Sequence, residues 1–285
     1  MTLTRRGMLR RTAVLAAGGL ATLGGGCGEP RDTLSRAREV GTLRVGHANE
    51  PPFGYVDESG RLTGYSVEVA RTVLAGIGIP RVEGVATDFG GLLGDLASGS
   101  FYVIAAGMFV TAGRCRRALF ATPEYCARQA LLVRQGPLER ARDLGALAGR
   151  DVAVGVLGGS IEIGLARRAG LDREQLLEYP DKEAMVAALR AGEVDVLALT
   201  SLSLRRLPAD LPRGRFALRT IDVPGGQALC GAAAFRRGDR RLRDTYDAEL
   251  RRLAAAGGLE PIGRRFGLRP AEIGPGAAAS RPRGC

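Results

Sequence analysis

The 285 residues of this chain offer little covalent chemistry. His47 is the only histidine, so a histidine-based metal site or a serine triad has almost nothing to be built from. It falls in a predicted first strand and reads as structural. No Gly-x-Ser-x-Gly elbow and no Cys-x-x-Cys pair occurs. Gly155-Val156-Leu157-Gly158-Gly159-Ser160 is glycine-rich but lacks the lysine of a phosphate loop. We therefore expect no catalytic residues, no cofactor and no metal. What remains suits the holding of a small charged molecule. Arg114 can clamp a carboxylate through two parallel hydrogen bonds; the plain alternative is a solvated arginine, since Arg116 and Arg117 follow it. Glu50 precedes a Pro-Pro pair and can accept N–H groups from a cation, or can simply face water. Phe53, Phe89 and Phe109 fall at predicted loop mouths in a chain with eight phenylalanines and no tryptophan. A cation over such a ring gains about 0.5–2 kcal/mol; ordinary core packing is the alternative. Ser160 opens a predicted helix, where free N–H groups favour an anion and where a serine can also be a plain N-cap.

Strands and helices alternate along the chain in two series. Leu43-Arg44-Val45-Gly46 reads as a strand, and Val67, Ala70, Val73, Leu74 and Ile77 mark one helix face closed by Gly78. A strand over 82–85, a helix around Leu92, Leu93 and Leu96, an apolar strand over 103–106 and a strand over 129–133 complete the first series. The second runs through a strand at 151–156, helices at 160–169 and 183–191 and a strand at 194–199. A strand over 228–235 and a helix carrying Leu242, Tyr246, Leu250 and Leu253 follow. This pattern predicts an α/β architecture with mostly parallel sheets. We expect two lobes: 42–133 plus 223–269, and 134–222, after a tether over 27–41 and before a flexible tail over 270–285. In open α/β sheets ligands bind beyond the carboxyl ends of strands, so the two lobes would face one another across a cleft.

The formal net charge is +11, and Lys182 is the only lysine. Residues 1–26 combine the basic head Thr4-Arg5-Arg6-Gly7-Met8-Leu9-Arg10 with an apolar run, which reads as an export signal of twin-arginine type. Its removal takes away four arginines and no acid, lowering the charge to +7. An exported chain with scattered arginines is not expected to bind nucleic acid. Leu23-Gly24-Gly25-Gly26-Cys27 resembles a bacterial lipoprotein cleavage site, so Cys27 is the expected lipid anchor, with ordinary cleavage nearby as the alternative. No later apolar run approaches about 20 residues, which excludes a multi-pass membrane protein. Cys126 and Cys230 fall in segments read as neighbouring inter-lobe strands and can oxidise together; Cys115 and Cys285 have no evident partner.

Gly41-Thr42-Leu43-Arg44-Val45-Gly46, then Glu50-Pro51-Pro52-Phe53-Gly54-Tyr55, Leu62-Thr63-Gly64-Tyr65, Thr111-Ala112-Gly113-Arg114 and Ala191-Gly192-Glu193-Val194-Asp195 resemble the solute-binding proteins of ABC importers, in their polar amino-acid and opine class. The likeness covers roughly residues 40–268. Asp88-Phe89-Gly90-Gly91-Leu92-Leu93, Ala105-Ala106-Gly107-Met108-Phe109-Val110-Thr111 and Ala198-Leu199-Thr200-Ser201-Leu202 are most similar to the ectoine- and hydroxyectoine-binding members. The resemblance implies a two-lobed, type II periplasmic-binding-protein-like fold with two crossover strands. It implies a monomer that is not an enzyme, captures a small zwitterion outside the cytoplasm and delivers it to an ABC permease. Its ligand residues would be Glu50, Phe53, Phe89, Phe109, Arg114, Ser160 and Thr200. Amino-acid binders of the class carry an aspartate where this chain has Thr200, five residues after Asp195. A primary ammonium would lose its anion there, at a serious cost. An amino acid or opine ligand, a cyclohexadienyl dehydratase-like enzyme and a receptor module for a sensor kinase remain alternatives.

Overall fold

The computed structural model describes residues 32–206, 211, 214–223, 229–274 and 285. The expected export signal and Cys27 lie outside them. The expected tether gives way to a helix, α1 (Thr33–Val40). Asp32 caps it by accepting from Ser35 N at 2.9 Å, and Gly41 closes it in the left-handed region at φ 71°. Leu34 and Ala37, three residues apart, bury one face of α1 in the first core.

The chain then runs through β1 (Thr42–His47), the hairpin β2 (Tyr55–Val56) and β3 (Leu62–Thr63), α2 (Tyr65–Gly76), β4 (Arg81–Ala86), α3 (Leu92–Ser98), β5 (Val103–Ile104), α4 (Ala112–Cys115) and β6 (Leu119–Phe120). The helical periodicity of α2 is a burial pattern: Val67, Ala70, Val73 and Leu74 are all sealed from solvent. Next come β7 (Tyr125–Ala127), β8 (Gln129–Arg134), β9 (Val154–Leu157), α5 (Ile161–Arg168), β10 (Leu176–Tyr179), α6 (Lys182–Ala191), β11 (Val196–Thr200), α7 (Ser201–Arg205) and β12 (Phe216–Ile221). The chain returns through β13 (Leu229–Gly231) and β14 (Ala234–Phe235) and ends in α8 (Arg240–Ala255) and α9 (Leu259–Arg265).

Two five-stranded sheets result, in the orders β4-β1-β5-β14-β6 and β10-β9-β11-β8-β12. β1 pairs in parallel with β4 and β5, and β9 with β10 and β11. The inner strands β1, β5, β9 and β11 are mostly buried, as a covered parallel sheet requires, while β4 and β10 lie at the edges and are more exposed. β14 enters the first sheet antiparallel, and β8 the second. The sheets are joined by β7 and β13, an antiparallel ribbon in which Cys126 faces Cys230 and is disulfide-bonded to it.

Several expectations change. The lobe boundary expected at Arg134 falls earlier: β8, expected in lobe one, is a strand of the second sheet, because the chain crosses at β7. The single strand expected over 228–235 divides at Ala232 into a crossover strand and a sheet strand; Ala228 is outside the described residues. The tail is anchored at its start by a bridge between Ile273 and Tyr125, and Cys285 is disulfide-bonded to Cys115 of α4. Residues 275–284 are outside the described set.

Glu124 leads into the ribbon. Its N–H donates to Gly231 O at 2.9 Å, and its carbonyl accepts from Tyr65 Oη at 2.6 Å and Gly274 N at 2.7 Å. Its side chain is buried and Oε2 has no hydrogen-bond partner. Burial pushes the carboxyl up to about 8 from an ordinary 4.5, opposed by the Ser66 hydroxyl. The folded protein thus keeps a proton that the unfolded chain gives up at lower pH. Stability from the neutral carboxyl is complete below the ordinary value and is lost as pH rises to about 8. Glu124→Gln, which cannot ionise, is expected to raise the melting temperature relative to the parent at pH ~9 and much less at pH ~4.5. Calorimetric scans at both pH values check this; a difference that does not grow with pH contradicts it.

Candidate functional site

The loop after β1 is folded tightly on itself. Glu50 N donates to Gly54 O and Phe53 N donates to Glu50 O, each at 2.8 Å. The first turn of α2 grips the same loop, with Tyr65 N donating to Pro52 O at 2.7 Å and Ser66 N to Phe53 O at 3.0 Å. Glu50 and Phe53 are therefore fixed together at the carboxyl end of β1, and both are buried. The Phe53 ring lies on Gly107: a Cβ there would come within 2.3 Å of Phe53 Cγ, and Gly107 also needs its positive φ of 65°.

Of the three phenylalanines expected to form one aromatic wall, only Phe53 and Phe109 come together, and they do so through a further ring. Phe53 and Phe109 do not stack on one another but each meets Tyr125, at centroid separations of 4.7 Å and 5.7 Å. Tyr125 belongs to the crossover ribbon and donates to Gly107 O at 2.5 Å. Phe89 instead lies under the Arg114 guanidinium, 5.5 Å from ring centroid to Cζ. Tyr55 packs against the lobe-one core.

Arg114 is positioned by α4, where Thr111 Oγ1 accepts from Arg114 N at 3.2 Å. Its guanidinium is buried and reaches both lobes: Nη1 donates to Phe109 O at 2.9 Å and Nη2 to Gly159 O at 3.1 Å. Burial lowers its pKa, and the carboxyl groups of Glu162 and Glu50 and the Tyr125 hydroxyl oppose that shift. The lobes touch where Gly159 meets Gly90; a Cβ on Gly159 would lie 2.5 Å from Gly90 Cα.

From lobe two, Thr200 caps α7 by accepting from Ser203 N at 3.0 Å. Its Oγ1 also lies 3.1 Å from Ser203 Oγ, which donates to Glu50 Oε1 at 2.5 Å. Thr200 thus reaches Glu50 through Ser203. Burial raises the Glu50 carboxyl, while Ser203, Lys182 and Arg114 pull it back toward the ionised form. Ser160 stands at the N-cap position of α5, but its side chain makes no capping bond and its Oγ has no partner of hydrogen-bonding geometry. The ordinary capping role expected for Ser160 is therefore not what its side chain does.

All seven residues predicted for a ligand are buried or half-buried, and of them Arg114, through Gly159, and Glu50, through Ser203, bond across the lobes. Four others escaped notice: Tyr125, Lys182, Ser203 and Glu162. Lys182 carried a signal as the only lysine. It is buried at the start of α6 and donates to Pro51 O in the other lobe and to Arg206 O, both at 3.0 Å. Ser203 follows Thr200 at capping spacing. Glu162 and Tyr125 carried no signal in spacing or type.

Residues 43–269 match the family of bacterial extracellular solute-binding proteins, family 3. A probable amino-acid ABC transporter periplasmic-binding protein of Sinorhizobium fredii (strain NBRC 101917 / NGR234) is 25% identical over 223 residues, 76% of this chain and 74% of that protein. The L-cystine-binding protein TcyJ of Escherichia coli (strain K12) is 28% identical over 171 residues, 60% of this chain and 63% of that protein. The crystal structure of EhuB in complex with hydroxyectoine matches with a TM-score of 0.78 at 30% identity, covering 84% of this chain and 94% of that one. Similar proteins also include enzymes, a cyclohexadienyl dehydratase and membrane-bound lytic murein transglycosylases. The architecture is the two-lobed type II periplasmic-binding-protein fold, as the sequence predicts.

Lys182 and Ser203 bond across the lobes, so they favour the closed form. Lys182→Met is expected to weaken binding of the solute held between the lobes about tenfold, near 1.4 kcal/mol, by depopulating that form. Titration calorimetry against the parent checks this; equal dissociation constants contradict the latch.

Proposed function

Because the chain belongs to family 3 of the bacterial extracellular solute-binding proteins, we propose that it captures ectoine or hydroxyectoine and hands it to an ABC permease. Glu50, Phe53, Phe89, Phe109, Arg114, Ser160 and Thr200 are the residues proposed to meet the ligand. The observation that carries this reading is the pairing of charges in the cleft. The neutral Thr200 is spent with Ser203 on the Glu50 carboxyl, which leaves Glu50 as the acid facing a cationic ring. Phe53 and Phe109, joined by Tyr125, supply aromatic surface of the kind a delocalised cation prefers. Arg114, held at the other end, suits the single carboxylate. The likeness to the hydroxyectoine-bound EhuB structure supports the same ligand class.

Capture works by hinge closure. The disulfide-bonded ribbon of β7 and β13 is the hinge, and bonds from both lobes stabilise the closed form. Lipidation at Cys27, outside the described residues, would hold the protein at the outer face of the membrane as a monomer. A polar amino acid or opine is the second reading, favoured by the names of the Sinorhizobium and E. coli relatives. A dehydratase is a third, and turnover of prephenate or arogenate would reveal it.

Titration calorimetry with ectoine, hydroxyectoine, arginine and cystine separates the first two readings. Ectoine or hydroxyectoine is expected to bind most tightly, and Arg114→Ala and Phe109→Ala are each expected to abolish measurable heat. Tighter binding of an amino acid, or unchanged binding by either variant, overturns the assignment.

A further inference from the structure

The first turn of α5 lies between the lobes. Gly159 accepts from Arg114 on one side of it, and Ile161 packs against the apolar cluster that contains Phe53, Phe109 and Tyr125. Ile161 also packs against the core of lobe two. Between these contacts sits Glu162, 3% exposed, with Oε1 lacking any hydrogen-bond partner. An acid left in that state is costly when ionised. Its surroundings are Arg114 from α4, Glu50 from the loop after β1, Tyr125 from β7 and Ser160 before its own helix. The Ser160 hydroxyl stands close enough to favour the ionised carboxyl without completing its set of hydrogen bonds. The guanidinium in this group bonds two carbonyl oxygens, so among the described residues Glu162 has no bonded cation of its own.

We infer that Glu162 is a specificity-determining residue that takes up one proton when a ligand carboxylate docks on Arg114. The inference rests on the solute-binding reading above, with Arg114 as the carboxylate partner. Two anions beside one guanidinium repel, and of the two only Glu162 can escape by protonating near neutral pH. Protonated, it becomes a hydrogen-bond donor next to the ligand carboxylate, while Ser160 Oγ supplies a second. In the closed structure without ligand its carboxyl is pushed up to about 7, by burial first and by the Glu50 charge, against the pull of Arg114 and Ser160; with the lobes apart that burial is relieved and the carboxyl ionises more readily. The ligand carboxylate raises it further. Above neutrality the free form is therefore ionised and the bound form protonated, so affinity falls as pH rises. The limiting slope for one linked proton is about tenfold per pH unit. Below neutrality both forms are protonated and the slope disappears. Ligands that cannot tolerate a neighbouring carboxyl donor, or that carry a second anion, are selected against.

The test is calorimetric titration of the full chain with ectoine, hydroxyectoine and arginine between pH ~6 and ~9. At pH ~8, buffers of different ionisation enthalpy report the protons taken up. The parent is expected to take up close to one proton per ligand at the higher pH, with affinity falling with pH. Glu162→Gln, near-isosteric, is expected to take up none and to bind with little pH dependence. Circular dichroism confirms that the variant is folded, and the buffer dependence of the parent stands without it. Binding of ectoine with no proton uptake, or with release, overturns the inference and leaves the ectoine reading intact. Proton-linked binding of arginine alone overturns the ectoine reading and keeps the inference. Failure of the parent to bind any of the three overturns both.

Discussion

A guanidinium buried between two lobes is a demanding object. Burial strips Arg114 of water, and the protein repays it with Phe109 O, Gly159 O and the face of Phe89. Those partners come from both lobes, so the charge is satisfied in this way only when the lobes are closed. Much of the surrounding sequence answers to that requirement. Thr111 caps the short helix that aims the side chain, and Gly159 and Gly90 allow the backbones to approach. Glu50 is held opposite by Ser203, with Lys182 bonded to the neighbouring Pro51 carbonyl. The cleft thus carries fixed charges of both signs against aromatic walls, a pattern suited to a small zwitterion.

The proposed hinge and the proposed binding surface share residues. Tyr125 begins the crossover strand that carries the Cys126–Cys230 bond, and its ring touches both Phe53 and Phe109. Its hydroxyl bonds Gly107 O, beneath Phe53. Gly231, its partner in the ribbon, must be a glycine because a Cβ would lie 2.2 Å from the Tyr125 ring. A displacement of the ribbon therefore moves the aromatic wall directly. On the proposed reading, ligand contact and lobe closure would be coupled through these packed side chains.

How far this was legible in the sequence depends on the interaction concerned. Burial imposes periodicity, so the face of α2 and the apolar strands of both sheets could be read from spacing alone. The crossing point could not: β7 and β13 have three residues each and no period to detect, and the expected boundary fell beyond β8. α1 was missed although Asp32 and Gly41 are ordinary cap residues, since only Leu34 and Ala37 mark its apolar face. Residue type and family likeness singled out Arg114, Glu50 and the three phenylalanines, all of which are buried. Neither could find Glu162, two residues into a helix, or the pairing of Cys115 with Cys285, which the chain brings together from 170 residues apart. Long-range proximity leaves no local pattern.

The central claim is that Arg114 exchanges its carbonyl partners for a ligand carboxylate while the phenyl rings enclose the cation. The direct measurement is a crystal structure of the protein with the zwitterion that binds it most tightly. The account predicts the carboxylate within about 3 Å of the Arg114 guanidinium. It also predicts the cationic group over Phe53 or Phe109 with Glu50 beside it. A ligand bound between closed lobes with its carboxylate elsewhere, and Arg114 still on Phe109 O and Gly159 O, would contradict it.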